Sequence, residues 1–415
     1  MADGRVSRQE VHRPSLARQP FWRRVRIRYR MTPWWLRVVV VWAVSRVVTT
    51  GILLWFAARQ PENPWTGAHP DYLSFAQLWD STWYHIVAAA GYPSVLPVTA
   101  DGHVGENAWA FMPGYPLLVR GLMIVTGLPW APVSVFVSVA FSLAAALMIY
   151  RMLRLVLPGE TALFAVVLFC FGPLSPVLQV SYAESMHVFL LALALWLLLQ
   201  RRYVALIPVV AVMALTRPSG LAFALALGLH VVHRFVTRAR DPFPTWERIL
   251  TAGVAVFSGL MGLAWPFLAW MATGSNTAYT DTELAWRVPY LGYRELVPFT
   301  PWVQGAEFWM PGPLGIVALV LVVVGFFAFL FTPWARRLGV TLRIWVASYA
   351  LYLLAVFFPQ SSTFRLLLPM FPLAGALAQP RSRWYRAVLV VLLIAGQWVW
   401  CYFCWWIDGY DWTPP

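Results

Sequence analysis

The sequence predicts an all-α, polytopic membrane protein, a bundle of helices that crosses the lipid bilayer many times. Of its 415 residues, 60% are hydrophobic and only 12% are charged, and the mean hydropathy is +0.64. A water-soluble domain of this length does not have such a balance. The apolar stretches have helical lengths and lack the alternation of polar and apolar residues found in spanning strands. We therefore expect lipid to be the solvent and helices to be the spans.

The net charge of +14 is explained by membrane orientation and does not require a nucleic-acid partner. A basic arm precedes the first apolar run, and most other Arg lie in short connections between apolar runs, which is the positive-inside pattern. The Arg residues of this arm are Arg5, Arg8, Arg13, Arg18, Arg23, Arg24, Arg26, Arg28 and Arg30. The chain contains Arg but no Lys, which is typical of a GC-rich genome such as an actinobacterial one.

The charge pattern also predicts the domain organisation. We expect residues 1–34 to be a cytoplasmic arm held near anionic headgroups, without a cleavable signal peptide. We expect residues 35–408 to form one transmembrane domain, with external loops at 58–110 and 274–312, and residues 409–415 to form a short external tail. The expected location is the plasma membrane, with the N-terminus inside and both long loops on the external face.

The spans follow from the apolar segments and the basic connections between them. The segments are 35–57, 111–127, 131–150, 161–178, 184–199, 203–215, 221–235, 249–273, 314–331, 344–358, 364–378 and 387–407. If all basic connections lie inside, the number of crossings can be counted forwards from the N-terminus and backwards from the last connection. The two counts give the same orientation only when one of the twelve segments does not cross the membrane. Segment 111–127, which contains Pro, Gly and Arg120, is the expected exception. The prediction is about eleven spans and an external C-terminus.

The most informative stretch is residues 79–93, WDSTWYHIVAAAGYP, directly after the first predicted span. It predicts one short helix along the membrane surface, with Asp80, Trp83, Tyr84 and Val87 on one face. A carboxylate in that half-dry setting costs free energy unless it is paired or hydrogen-bonded, and its position suits a general base. The alternative is an interfacial helix whose Asp80 only faces headgroup water.

The pattern W-D-x-x-W-Y-x-x-x-A-x-x-G-Y-P in a loop after the first span resembles the glycosylphosphatidylinositol mannosyltransferase II (PIG-V-like) family. Further blocks follow in order: AFMPGYPL at 110–117, SYAES at 181–185, TRPSG at 216–220 and FRLLLPMFPL at 364–373. The likeness extends from about residue 34 to residue 378, and the Trp-Asp block is its most specific part.

The resemblance implies a type C glycosyltransferase fold, with juxtamembrane helices in the first external loop. Such enzymes use a polyprenyl- or dolichyl-phosphate sugar, here mannose. The acidic residue of the first external loop serves as catalytic base, and by position this is Asp80. The reaction is inverting, so a β-linked donor gives an α-linked product. Mannose depends on the resemblance alone, and glucose or arabinose stay open.

A lipid phosphate needs cationic partners, and Arg217 and Arg365 are suitably placed at the predicted external ends of spans. The alternative for each is a snorkelling residue at a helix end. Glu184, which begins a span, is a functional candidate or an N-terminal cap. His85 and His187 are more often structural than catalytic residues in such settings. The expected substrate-binding residues are Trp79, Trp83, Tyr84, His85, Tyr115, Tyr182, Glu184, Arg217 and Arg365.

We expect no metal and no other cofactor. Cys401 and Cys404 have CxxC spacing but no second ligand pair, and with Cys170 they support neither zinc nor a disulfide framework. Asp281 and Glu283 form a D-x-E, which holds a metal against nucleotide-sugar phosphates in some soluble glycosyltransferases. A donor with a single phosphate can instead be neutralised by Arg, so a metal-independent reaction is the simpler hypothesis.

The predicted function is an integral membrane mannosyltransferase, a hexosyltransferase that transfers mannose from polyprenyl-phosphate mannose to an acceptor hydroxyl. The acceptor is a glycolipid, a glycan or a protein. Two other classes stay open: a transporter or flippase of a lipid-linked glycan, and an accessory membrane protein without chemistry. A transporter usually has two similar halves and polar groups at the bilayer midplane, and neither pattern is visible here.

Overall fold

In a computed structural model, residues 31–408 and 414–415 are described. Over these residues the chain is helical, and the strand-like pairing that it contains is an isolated bridge between Val98 and Val104. The prediction of an all-α protein is confirmed. Most of the predicted basic arm (1–30) and part of the predicted tail (409–413) lie outside the described residues.

The described residues contain fourteen α-helices of eight or more residues, numbered here in chain order. They are α1 (Trp34–Ala57), α2 (Asp80–Ala90), α3 (Gly114–Thr126), α4 (Trp130–Leu153), α5 (Gly159–Cys170), α6 (Glu184–Leu199), α7 (Tyr203–Ala214), α8 (Gly220–Val236), α9 (Thr245–Thr273), α10 (Ala278–Ala285), α11 (Pro301–Trp309), α12 (Pro313–Phe329), α13 (Gly339–Val356) and α14 (Arg383–Trp400). Short helical turns connect several of them.

Five helices of the described chain are long and apolar enough to cross a membrane: α1, α4, α9, α13, and α14 with its continuation to Trp405. Six more apolar helices have 10–17 residues: α3, α5, α6, α7, α8 and α12. The chain therefore has the helices that a membrane bundle requires. The number that cross and the direction of crossing stay predictions.

Two of the predicted continuous apolar segments are broken at proline. Segment 364–378 forms three short pieces, Thr363–Leu366, Leu368–Met370 and Leu373–Leu377, rather than one helix. Pro369 and Pro372 supply no backbone N–H and cannot continue the helical hydrogen bonds. In segment 161–178, the α-helix α5 ends at Cys170, and a separate short helical turn follows at Ser175–Gln179. Hydropathy detected both segments but not the breaks within them.

Helix α6 lies at the centre of the bundle. It packs along α4 and α7, and most of its side chains are buried, which suits a helix that is apolar on all faces. Glu184 is its first residue, so the carboxylate stands at one end of the central helix. We call this end of the bundle the site end. A helix of 16 residues spans about 24 Å, which sets the distance to the opposite end.

The end opposite Glu184 contains an ion cluster, the distal cluster, formed by the buried residues Tyr203, Arg234 and Glu247 and the more exposed pair Arg201 and Asp241. Arg234 Nη1 lies 2.7 Å from Glu247 Oε1 and donates to the Tyr203 hydroxyl at 3.1 Å. The same tyrosine hydroxyl donates to Glu247 Oε1 at 3.0 Å. The cluster joins the connection after α6 to the end of α8 and the start of α9.

The two long loops of the prediction, 58–110 and 274–312, contact each other at the site end. Asn107 Nδ2 donates to Thr282 Oγ1 at 2.8 Å. The indole of Trp286, just after α10, stands edge-on to Trp83 of α2, with ring centroids 5.6 Å apart. Helix α10 therefore packs over the region that contains Asp80.

Candidate active site

Asp80 begins α2, and the residue before it has an unusual backbone conformation. Trp79 has φ 59° and ψ −123°, and the Ser81 N–H donates to the Leu78 carbonyl at 3.4 Å. These values describe a type II′ turn, whose first central position is normally glycine. A bulky residue there is strained by about 1–3 kcal/mol. The turn places the carboxylate in the first turn of α2, where the helix dipole favours a negative charge.

The predicted helix is confirmed, and two residues of its predicted shared face, Tyr84 and Val87, are buried. Helix α2 buries Tyr84 completely, and Trp83 stacks on Phe111 with ring centroids 5.6 Å apart and planes 7° apart. The Asp80 side chain is only 15% exposed. The carboxylate is therefore enclosed by protein, and the alternative in which it only faces headgroup water does not describe this structure.

Asp80 belongs to a group of four charged side chains, the charged quartet: Asp80, Glu184, Arg217 and Arg365. Arg365 Nη1 contacts the Asp80 carboxylate directly. Arg217 Nη1 lies 4.0 Å from Asp80 Oδ2. Glu184 Oε1 lies 3.4 Å from Arg217 Nη2 and 3.3 Å from Arg365 Nη1. The structure thus brings together the four charged residues that the sequence singled out in four separate blocks.

The quartet is buried and incompletely hydrogen-bonded. The side chains of Glu184 and Arg365 are 5% and 8% exposed. Neither oxygen of Glu184 accepts a hydrogen bond, and Arg365 Nε has no hydrogen-bond partner among the described residues. Glu184 therefore does not make the side-chain hydrogen bond that an N-terminal cap of α6 would require. Buried polar groups normally have hydrogen-bond partners. Those that lack a partner frequently belong to functional sites.

Two tyrosines support the quartet. Arg217 Nη1 donates to the Tyr84 hydroxyl at 3.2 Å, and the backbone N–H of Asp80 donates to the Tyr182 hydroxyl at 3.2 Å. The guanidinium of Arg365 lies over the Tyr182 ring, 5.3 Å from its centroid. Tyr84 and Tyr182 are both fully buried, so their contacts restrict the positions of the quartet side chains.

Close backbone packing positions Arg217. The N–H of Gly114 donates to the Leu215 carbonyl at 2.8 Å, and a Cβ at Gly114 would meet Thr216 Oγ1 at 2.6 Å. On the other side of the turn, a Cβ at Gly220 would lie 2.7 Å from Gly262 of α9. The glycines of two sequence blocks, at 110–117 and 216–220, are thus places where only glycine fits.

His187 braces the same turn. Its Nε2 atom lies 2.9 Å from Ser219 Oγ, and both residues are buried. This contact supports the structural interpretation of His187. His85 is exposed and stacks on Trp130, with centroids 5.1 Å apart and planes 10° apart. Among the described residues it makes neither an ion pair nor a hydrogen bond with the quartet, so its expected place in the site is not supported.

The remaining residues of the predicted site lie around the quartet. Tyr115 is fully buried behind Tyr84, with ring centroids 5.3 Å apart, and its hydroxyl donates to the Ser134 carbonyl at 2.9 Å. Trp79 packs on Trp65, with centroids 5.1 Å apart. In this structure Tyr115 packs beneath the quartet, and a contact of Tyr115 with substrate stays a prediction. Substrate contact for Trp79 and Trp83 stays a prediction.

Sequence reasoning underestimated Glu283 of α10. The D-x-E pattern suggests only a metal ligand, whereas in the fold Glu283 belongs to the helix that packs over the region of Asp80. Burial raises the pKa of Glu283, and Arg287 opposes this effect. The sequence does offer one indication that Glu283 is near the site, namely its position in the second long loop, which packs against the first. No group of three His, Cys, Asp or Glu residues in the described chain could hold a metal ion, and metal independence stays a prediction.

An apolar cavity of about 490 Å³ lies beside the broken segment 363–377. Its lining includes Leu367 and Leu368, which follow Arg365 in the chain, together with Trp302, Phe326 and Leu353. The lining is almost wholly apolar. An acyl or isoprenoid chain fits such walls better than a polar ligand does.

No protein-family profile and no curated protein matches the chain. Among solved structures, it is similar to the Archaeoglobus fulgidus oligosaccharyltransferase in the apo form, with a TM-score of 0.47 and 13% identity, over 88% of this chain and 55% of that chain. The oligosaccharyltransferase AglB from the same organism, in complex with an inhibitory peptide and a dolichol-phosphate, matches with a TM-score of 0.39 and 14% identity, over 88% and 55%.

A third structure of that enzyme, tethered with an acceptor peptide containing the NVT sequon, matches with a TM-score of 0.40 and 11% identity, over 87% of this chain and 53% of that chain. The chain spans about half the length of these structures. With TM-scores below 0.5 and such low identities, these matches transfer neither a fold nor an activity to this chain.

Proposed function

We propose that this protein is a membrane-embedded glycosyltransferase of type C that takes a sugar from a polyprenyl-phosphate carrier. The observation that carries the proposal is the charged quartet, in which an enclosed carboxylate, Asp80, lies within reach of two guanidinium groups at one end of an apolar helical bundle. A general base next to cations that can hold a phosphate leaving group is what this reaction needs.

In the proposed reaction, Asp80 removes the proton of an acceptor hydroxyl. The acceptor oxygen attacks the anomeric carbon of the sugar, a new C–O bond forms, and the bond from the anomeric carbon to the phosphate oxygen breaks. The electron pair of that bond leaves with the polyprenyl phosphate, and the proton stays on Asp80. Arg217 and Arg365 stabilise the charge that develops on the phosphate.

The contact between Arg365 and Asp80 fits this sequence of events. Without a ligand, the guanidinium neutralises the carboxylate, which otherwise would be a buried lone charge. A phosphate that binds Arg365 would compete for the same donors and release Asp80 to accept a proton. The apolar cavity, whose lining includes Leu367 and Leu368 shortly after Arg365 in the chain, offers a surface for the isoprenoid chain.

The finer parts of the proposal rest on the resemblance to the PIG-V-like family. These are mannose as the sugar, inversion at the anomeric carbon, and an acceptor on the external face of a plasma membrane. The acceptor would be a glycolipid, a glycan or a protein. A flippase for a lipid-linked glycan would also need cationic side chains for phosphate, but it would not need a base at Asp80.

The test is transfer of radiolabelled mannose from polyprenyl-phosphate mannose by the purified protein in nanodiscs, with Asp80→Asn as the variant. We expect the variant to bind donor but to lose about 10²–10⁴-fold in rate, because a positioned general base contributes that much. Asp101→Asn is the matched control, since Asp101 is an exposed residue of the same loop. Equal rates for wild type and Asp80→Asn would exclude the catalytic assignment, and phosphate-lipid translocation without transfer would indicate a flippase.

A further inference from the structure

Glu184 lies between the two arginines of the charged quartet. Its Oε1 atom is 3.4 Å from Arg217 Nη2 and 3.3 Å from Arg365 Nη1, and its side chain is 5% exposed. Neither of its oxygens accepts a hydrogen bond from the described residues. Glu184 therefore neutralises both guanidinium groups without being held firmly by either of them.

Two guanidinium groups that share such an enclosed space repel each other. Arg365 Nη1 is in range of both carboxylates, because it contacts Asp80 and lies 3.3 Å from Glu184. Removing one partner of a buried pair leaves an uncompensated charge, which is strongly unfavourable. A resident anion is therefore needed when no lipid phosphate is bound, and Asp80 alone balances only one of the two arginines.

The charge count also constrains what happens once a ligand binds. The two arginines and two carboxylates sum to zero before binding. During the proposed transfer, Asp80 gains a proton while the phosphate gains one negative charge, so the total does not change. In this scheme the transferred proton goes to Asp80, so the transfer leaves the Glu184 carboxylate unchanged. This carboxylate therefore repels the product phosphate more than the donor phosphate, because the product has the larger negative charge.

We propose that Glu184 is a positioning residue, the resident counter-ion of Arg217 and Arg365, and that it promotes release of the polyprenyl phosphate product. This inference rests on the proposed function. Before donor arrives, Glu184 holds two cations side by side where a phosphate can engage both. After transfer, its fixed charge prevents those cations from retaining the product.

The test compares Glu184→Gln with wild type. We expect polyprenyl monophosphate to bind the variant about tenfold more tightly or better, since one nearby repulsive charge has been removed. The KM for donor should fall, and kcat should fall with it because product leaves slowly. A rapid first turnover followed by a slower steady state should appear in a quenched time course. Glu184→Asp keeps the charge and should remain closer to wild type in product affinity.

A purely structural role for Glu184 predicts a different result. The variant would then lose activity without binding the product more tightly and without a burst. Thermal unfolding in detergent gives a second readout, since added polyprenyl monophosphate should raise the midpoint of Glu184→Gln more than that of wild type. Unchanged or weaker product binding by a folded Glu184→Gln variant would overturn the inference.

If Glu184→Gln does not fold, the same comparison is made in an Arg217→Gln background. The double variant again has a neutral quartet, and it should bind polyprenyl monophosphate more tightly than Arg217→Gln alone. Weaker or equal binding by the double variant would reject the counter-ion role. Failure here is distinguishable from failure of the proposed function, because in the latter case the wild-type protein itself transfers no sugar.

Discussion

The distal cluster and the charged quartet are both groups of arginines and carboxylates with buried members, and they are located at opposite ends of α6. In the distal cluster, Arg234 and Glu247 are 2.7 Å apart, and both are hydrogen-bonded to the Tyr203 hydroxyl. In the quartet, three of the four ion-pair distances are 3.3–4.0 Å, and the Glu184 oxygens accept no hydrogen bond from described residues. The carboxylate of Glu247 thus accepts hydrogen bonds within its cluster and that of Glu184 accepts none, although Arg234 Nε, like Arg365 Nε, makes no hydrogen bond among the described residues.

The origin of the side chains explains this difference. Arg234 and Glu247 are 13 residues apart and belong to consecutive helices, so their pairing forms as α8 packs on α9. Asp80 and Arg365 are 285 residues apart, and the other quartet members come from two further turns. Such a long-range, incompletely paired group contributes little to fold stability for its cost of desolvation. We infer that the distal cluster serves the fold and that the quartet is kept for a ligand.

The largest expected effect is on stability at the distal cluster. Arg234→Ala should lower the free energy of unfolding by about 3–5 kcal/mol, because Glu247 would remain buried without its cation. Thermal or denaturant unfolding in detergent measures this change. The fraction that stays folded should transfer sugar at nearly the wild-type rate. A large loss of activity per folded molecule would show that the two ends are coupled. It would contradict the inference that the distal cluster serves only the fold.

The next effect is on activity at the quartet. Arg365→Ala should weaken donor binding and reduce kcat/KM by about 10²–10³-fold, since one charge-assisted contact to the phosphate is removed. Its effect on unfolding should be smaller than that of Arg234→Ala, because Arg217 remains as a cation 4.0 Å from Asp80 Oδ2 and 3.4 Å from Glu184 Oε1. Donor titration and unfolding are measured on the same preparations. Unaltered donor affinity would reject the phosphate role of Arg365.

The smallest expected effect concerns the packing that positions Arg217. Gly114→Ala should cost about 1–3 kcal/mol of stability and reduce activity, because the new methyl group would collide with the turn at 215–216. Gly121→Ala, in the same helix α3, is the matched control, since a Cβ there meets nothing within 4 Å. The control should be neutral or slightly stabilising. Equal behaviour of the two variants would show that the close approach at Gly114 does not control the site.

The sequence predicted much of this site because its residues stand at the ends of apolar segments. Asp80, Glu184 and Arg217 each border a helix, and the positive-inside pattern assigned their turns to one face. Their direct pairing could not be predicted, because contacts between residues of different helices, from 33 positions apart for Glu184 and Arg217 to 285 for Asp80 and Arg365, depend on how the helices pack. His85 shows the same limit, since its place in the Trp-Asp block gave no information about its stacking on Trp130.

Backbone details were the least predictable. Hydropathy sums over a window, so segment 364–378 was predicted as one apolar segment although Pro369 and Pro372 divide it. Glu283 was undervalued because its neighbour in sequence, Asp281, suggested a metal pattern rather than a place near Arg217. Both errors come from local reasoning about features that tertiary packing decides.

Because of the strained turn at Trp79, the direction in which the Asp80 carboxylate points depends on the conformation of a single residue. Side chains on a helix are separated by 100°, so if α2 started one residue earlier, the acid would be rotated away from Arg365 by about that angle. A deletion or insertion between residues 71 and 79 that relaxed this turn would thus rotate the acid away from its cations, and it would also shift Phe75 and Leu78, which are buried in the core. The length of this segment is therefore one of the features that set the direction of the carboxylate.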